Sequence, residues 1–471
     1  MKIRNAVLVC AAALGALPAA LCAADMPRAT PESQGVSSQA IIDWLDACNA
    51  EMKYMHGFVI VRHGKVIAEG AWAPFDPLTR PHMLYSHSKS FTSTAIGFLA
   101  DEGKVDLDER IADIFADKMP TNPQPELLEV RVRDLLTMNF GSDASHAPKC
   151  NFDLADWEKG ILSRPMERRP GTKHRYDSDA TYLLSCIVER KSGMRTMDYL
   201  KARLFDPLGM TSPWSTVSPS GTACGGWGMN MTTRDIAKFG QFLLDGGVWD
   251  GKRLLSRDWI RLASAKHTAS GGGPDWRLGY GFQFWRCQHN AYRADGAAGQ
   301  FTIVMEDQDA VVSLNAAEGN TQKELDLVWK HLVPAFGDRP LPDDAALQSR
   351  LADKCAKLEI SAPKGTGFAG PALPAACSYG RSNLMPEGKG TLEKSDSGWT
   401  LVGGNRRLAI GDGAWAETTW KFDDGNVEPL FALVGTRTAI AAGRWTNKKT
   451  LRVSWHLLDC TQKGEFEVKV Q

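Results

Sequence analysis

The order of strand-like and helix-like patterns is the strongest constraint on how this chain can fold. "HGFVIVRHGKVIAEGAW", residues 56–72, holds two apolar runs split by "RHGK" and predicts a hairpin, behind a helix over residues 36–52. Helical patterns then dominate. One runs from near Ser86 to a stop at Gly103, and "LEVRVRDLLTMNFG" begins with alternation and becomes a short helix. "SDATYLLSCIVERKSG" is closed by Gly193, and "TTRDIAKFGQFLLDGG" has a threonine cap and trailing glycines. Strand patterns return only late, at "GYGFQFWRC" and "AGQFTIVMEDQDAVVSLNA", before a final helix in "KELDLVWKHLVPAF". This order is not the regular alternation of a dinucleotide-binding fold. It predicts one sheet assembled from both ends of a domain, with helices inserted between.

A second unit follows. "GDRPLPDDAALQSRLADKCAKL" reads as a proline-marked linker leading into a helix, and from about residue 359 the chain turns to short strands with Gly, Asp and Asn turns. The expected division is 1–24, 25–338, a linker and helix at 339–358, and an all-β domain at 359–471. A chain of 471 residues has room for these parts. The tryptophans of the β domain read as strand packing.

Residues 1–24 have the pattern of a secretory signal peptide: Lys2 and Arg4, then "AVLVCAAALGALPAALCAA", with small residues near positions 22–24 before Asp25. Gly15, Pro18 and the alanine-rich run favour cleavage over a membrane anchor. The expected location is periplasmic or secreted, with no stable membrane insertion after cleavage. Eight cysteines would remain, an even number in a compartment that permits disulfides, so at least one bridge is expected. The 55 acidic and 55 basic residues balance, which gives no reason to expect nucleic acid as a partner. The ten histidines show no metal spacing, and there is no CxxC or HExxH. No metal or cofactor is expected.

Chemistry concentrates at "YSHSKSFTST", residues 85–94. Ser86 and Lys89 lie three apart, one turn apart on one helix face. At a helix start, with partial burial, the lysine is biased toward its neutral form, able to take the serine proton. The pair alone says little, since about two S-x-x-K matches are expected by chance in a chain this long. A second copy, Ser361 and Lys364 in "SAPKGTG", has no helix to align it, and Ser86 could equally be a plain helix cap. No G-x-S-x-G is present, so the common nucleophile elbow is absent. Tyr176, just ahead of an apolar helix, offers a proton carrier. "YRADGAAGQFTIV" offers a small-residue strand with a glycine-rich bend, where a substrate can approach the backbone.

With these motifs in this order, the chain resembles the serine β-lactamase-related hydrolases: class C β-lactamases, D-aminopeptidases, esterases and the hydrolase of the linear 6-aminohexanoate dimer. S-x-x-K is Ser86-His87-Ser88-Lys89, Y-x-N has the counterpart Tyr176-Asp177-Ser178, and the K/H-T-G triplet has the looser counterpart Ala294-Asp295-Gly296. "LLTMNFG", "FDPLGM", "GGWGMNMTTRDIAKFG" and "GYGFQFW" add family-like segments between about Gly35 and Phe336. The resemblance implies an α+β, transpeptidase-like fold: an antiparallel sheet flanked by helices with an inserted helical region. It implies an acyl-enzyme at Ser86, Lys89 as base, Tyr176 in proton transfer, and an oxyanion hole from the backbone N–H groups of Ser86 and Ala297. Ser178, Ala294, Asp295 and Gly296 become substrate-binding positions, and Ser178 is also a candidate N-cap.

Two departures bear on substrate. Ala294 stands where penicillin-recognising members carry a basic residue for a carboxylate. Ser178 replaces an asparagine amide. Both point to small esters or linear amides in place of penicillins. The alternatives are a β-lactamase or D-amino-acid peptidase, a catalytically decayed envelope binding protein of the same fold, and a metal hydrolase with ligands converging from scattered histidines.

Overall fold

A computed structural model describes residues 25–143, 155–366, 368–422 and 435–471. The expected signal peptide and Cys150 lie outside the described residues.

The first unit is built on a six-stranded antiparallel sheet. Its strands are β1 (Met55–Arg62), β2 (Lys65–Ala71), β3 (Trp285–Arg286), β4 (Tyr292–Gly296), β5 (Gln300–Met305) and β6 (Ala310–Ala316), ordered β2-β1-β6-β5-β4-β3. The early hairpin and the late strands meet at β1 and β6, where Val59 faces Ser313 and Ile60 faces Val312. The sheet is therefore assembled from both ends, as the pattern order predicts. Strand alternation divides the side chains between two cores. Val59 and Val61 join one with Phe91 and Ile236, and Phe58 and Ile60 join the other with Trp44 and Leu325.

Four helices frame this sheet: α1 (Ser38–Glu51), α2 (Ser88–Asp101), α3 (Ser178–Ser192) and α4 (Thr233–Leu244). Ser37 caps α1 and Thr232 caps α4 through side-chain oxygens, while α3 ends at Gly193 with φ +71°. The axis of α4 approaches the sheet closely at Gly240, where an added Cβ would lie 2.5 Å from Val311.

The run "GYGFQFWRC" departs from the strand expectation. Only Trp285–Arg286 pairs as a strand. Phe282 N–H donates to Ala263 O, and Gly281 lies so close to that carbonyl that a Cβ would be 2.1 Å from it. A helix end has taken the backbone partners that a ladder would need.

The C-terminal strands form an eight-stranded barrel-like sheet: β7 (Ala375–Tyr379), β8 (Gly388–Ser395), β9 (Gly398–Gly403), β10 (Arg406–Asp412), β11 (Ala416–Phe422), β12 (Gly435–Asn447), β13 (Thr450–Leu457) and β14 (Lys463–Val470). Neighbours run β10-β9-β8-β7-β14-β13-β12-β11, and a parallel pairing of Gly411 with Ala442 curls the ends toward each other. Trp399, Trp445 and Trp455 fill its core, the packing role expected of them. Two residues of the first unit, Met83 and Tyr85, are part of that same core.

The seven described cysteines are all unpaired, and six are buried, so no bridge joins any of them, contrary to expectation. They are spread over separate parts of the interior: Cys186 and Cys224 on one face of the sheet, Cys48 and Cys287 on the other, Cys377 and Cys460 in the barrel.

Candidate active site

The nucleophile segment begins one turn earlier than a regular helix would place it. Tyr85–His87 form a 3₁₀ turn, and α2 starts at Ser88, whose hydroxyl donates to Tyr85 O at 2.7 Å and accepts from Met229 N–H. Ser86 thus sits in a tight turn feeding the helix, with Lys89 in the first helical turn behind it.

Lys89 is 1% exposed, and its Nζ lies 3.1 Å from Ser86 Oγ, 3.0 Å from Ser178 Oγ and 2.6 Å from Gly226 O. Burial lowers its pKa from 10.5 to about 7, against the opposing pull of Asp177, Asp179 and Asp295. A neutral amine has two donors and one lone pair. Donation to Gly226 O and Ser178 Oγ leaves the lone pair to accept from the Ser86 hydroxyl. That is the geometry of a general base.

Ser178 is not the helix cap. Asp177 caps α3 by accepting from Asp179 N–H, which leaves the Ser178 hydroxyl free for Lys89. Asp177 and Asp179 are held by Arg164, at 3.1 and 3.3 Å in a buried cluster. Burial raises the Asp177 carboxyl and Arg164 opposes it. This ion pair fixes the approach of α3, and with it both Tyr176 and Ser178.

Tyr176 is half-buried, its ring stacked on Trp285 at 5.8 Å and edge-on to Tyr280. Its hydroxyl hydrogen-bonds with Ser86, and Lys89 Nζ lies 4.7 Å from its ring centre. Burial raises its pKa, so the phenol keeps its proton at neutral pH.

Strand β4 brings the third motif alongside. Gly296 lies against the nucleophile segment so tightly that a Cβ would be 2.1 Å from Leu84 O, which places the Ala297 turn next to Ser86. Ala298 follows with φ +60°. Ala294, 1% exposed, is packed into the core with Tyr292 and Phe284, so its side chain does not line an open pocket. Asp295 is on the opposite face. It pairs with Arg293 at 2.8 Å and contributes to the field at Lys89. Arg293 is itself fully buried, donates to Cys287 Sγ and stacks on Trp276 at 4.4 Å. Arg286 is bound to Ser264 O and Asn290. Neither arginine replaces the basic residue missing at Ala294.

The structure thus brings Ser86, Lys89, Tyr176, Ser178, Asp295, Gly296 and Ala297 into one neighbourhood, with Ala294 turned away. Sequence reasoning missed Gly226, whose carbonyl anchors the lysine. The doublet before Trp227 was the available signal: Gly226 admits no Cβ, since Ser178 O would be 2.6 Å from it. Among the described residues, no group of three His, Cys, Asp or Glu side chains converges as a metal site would require.

A Beta-lactamase family model matches residues 51–332, more than half of the chain. The chain is 28% identical over 223 residues to the 6-aminohexanoate-dimer hydrolase of Paenarthrobacter ureafaciens, covering 44% of this chain and 56% of that protein. It spans about half the length of that curated relative. Among solved structures, the octameric penicillin-binding protein homologue from Pyrococcus abyssi matches 92% of this chain and 96% of its own, with TM-score 0.51 and 15% identity. The D-amino acid amidase from Ochrobactrum anthropi SV3 matches 64% of this chain and 99% of its own, with TM-score 0.51 and 18% identity. At these identities the two structures are similar in fold.

Proposed function

The chain belongs to the Beta-lactamase family, a family of serine hydrolases, and on that premise we propose that it cleaves small esters or linear amides through an acyl-enzyme at Ser86. The observation that carries this reading is the buried Lys89 amine, 3.1 Å from Ser86 Oγ with its pKa lowered to about 7. Ser86 Oγ attacks the substrate carbonyl as its proton passes to Lys89. The N–H groups of Ser86 and Ala297 receive the oxyanion. The proton leaves through Tyr176 to the departing alcohol or amine as the tetrahedral intermediate collapses to the ester of Ser86. Water then attacks that ester, with the same groups moving its proton, and frees the acid.

The substrate class rests on charge. Ala294 brings no cation, and Arg293 is committed to Asp295 and Cys287. A β-lactam carboxylate would meet no fitted basic partner at the third motif, whereas a neutral ester or amide does not need one. The similarity to the 6-aminohexanoate-dimer hydrolase supports the amide side of this proposal. We assign the enzyme to the periplasm or the exterior on the N-terminal sequence pattern alone.

A fluorophosphonate probe with mapping of the labelled peptide tests the nucleophile. Ser86 should carry the label and Ser86→Ala should lose it. Label on another serine, or equal labelling of the alanine variant, overturns the assignment. Comparison of kcat/KM on a short p-nitrophenyl ester, a linear aminohexanoate amide and a chromogenic cephalosporin tests the substrate class, and cephalosporin turnover above both others would sink it.

A further inference from the structure

The residue just before the nucleophile belongs, by its side chain, to the other domain. Tyr85 is 1% exposed within the barrel core, and its hydroxyl lies 2.7 Å from Thr461 Oγ1. Its backbone has φ +50°, a left-handed conformation that a bulky aromatic residue rarely adopts. Two residues earlier, Met83 N–H donates to Asp459 O at 2.8 Å. The same turn reaches the other side of the site. Lys463 Nζ donates to Ala317 O and lies over the Tyr54 ring at 4.4 Å, and the next residue, Glu318, donates its N–H to Ala298 O at 3.1 Å. Ala298 is again left-handed and directly follows Ala297.

We propose that the barrel's Asp459–Lys463 turn is a positioning brace for the oxyanion hole, with Thr461 and Lys463 holding in register the two segments that carry the Ser86 and Ala297 N–H groups. The orientation of the Ser86 N–H is set by the peptide joining it to Tyr85. That peptide is fixed only while Tyr85 stays left-handed, and its burial in the barrel core and its bond to Thr461 oppose relaxation. On the other side, Lys463 holds the carbonyl of Ala317, beside the Glu318 amide that bonds the Ala298 peptide. The brace aligns donors for charge that develops in the transition state, so its loss acts on kcat more than on substrate binding. The inference rests on Ser86 being the acylated residue.

The test uses full-length protein with Thr461→Val, Thr461→Ser and Lys463→Met, at positions outside the proposed catalytic groups. Three quantities are read: kcat and KM on a p-nitrophenyl ester, the rate of fluorophosphonate labelling at Ser86, and Kd for an arylboronic acid, whose serine adduct mimics the tetrahedral state. Thr461→Val and Lys463→Met should each lower kcat and the labelling rate about tenfold and weaken the boronate, with KM within about twofold. Thr461→Ser, which keeps the hydroxyl, should restore wild-type behaviour. Wild-type kcat and labelling in both Thr461→Val and Lys463→Met would overturn the brace while leaving the nucleophile intact. Absence of label at Ser86 in the wild type would instead overturn the nucleophile, and the brace with it.

Discussion

The pH dependence of acylation gives the most direct access to Lys89. An unshifted lysine, at 10.5, would be neutral in about 3 of 10,000 molecules at pH 7. With the pKa lowered to about 7 by burial, half are neutral. Desolvation thus enlarges the population of competent base more than about a thousandfold, although a less basic amine offsets part of that gain. The deprotonated form is the active one, so kcat/KM must rise with pH. It should be about 1% of its plateau at pH 5, about 10% at pH 6 and about 90% at pH 8. Initial rates of p-nitrophenyl ester hydrolysis from pH 5 to 9 would show this limb, with circular dichroism at each pH to confirm that the fold persists. Asp177 also titrates, its carboxyl raised by burial, so the profile should be repeated in Asp177→Asn, where the rising limb should persist with its inflection moved below 7, because that carboxylate favours the protonated Lys89. A flat profile, or an inflection above about 9, would refute the assignment of Lys89 as a desolvated base.

Two further outcomes follow from the same geometry. Lys89→Met should abolish acylation yet raise Tm at pH 7. The folded-state pKa lies below the unfolded one, so the native lysine loses stability as pH falls from about 10.5 toward 7, and the gain on removing it should shrink above pH 10. A lower Tm in the variant would show that its three hydrogen bonds outweigh the desolvation. Gly296→Ala must move the added methyl away from Leu84 O, 2.1 Å distant. That should cost about 1–3 kcal/mol of stability in thermal or urea unfolding, and about tenfold or more in kcat as the Ala297 turn shifts from Ser86. Wild-type kcat in that variant would place the oxyanion donors elsewhere.

Much of the site was legible because its chemistry is carried by side chains at short spacing. Ser86 and Lys89 are one turn apart in sequence terms and meet at 3.1 Å. Tyr176 was singled out from its place before an apolar helix, and it lies beside Ser86 and Lys89. What escaped was carried by backbone or by long-range packing. Gly226 contributes a carbonyl, which every residue carries, so the doublet before Trp227 could signal close packing but not the contact with Lys89. Asp177 displaced Ser178 as the cap of α3, and adjacent Asp and Ser are both good caps, so the sequence does not choose between them. Ala294 was read as facing substrate because it aligns with the motif, but alternation along β4 turns it inward and Asp295 outward toward Lys89. In the fold, the two-ended sheet was legible from pattern order. The loss of strand pairing in "GYGFQFW" was not, because it depends on Ala263 O, a carbonyl at the end of a distant helix.

The pairing of β1 with β6 has a consequence for how the chain is made. Val59 cannot meet Ser313 until roughly 250 further residues have left the ribosome. At about 5–20 residues per second that is roughly 12–50 s, during which one edge of a largely apolar, fully buried strand has no partner. The hairpin with β2 can close at once, but the inner edge must be shielded by something other than its final neighbour. Native assembly of the sheet is therefore set by the arrival of β6 in the compartment where the chain folds, rather than by the speed of any local step. The barrel, whose first strand β7 pairs with its last, β14, comes later still, so the turn that embraces Tyr85 is among the last parts of the molecule to exist.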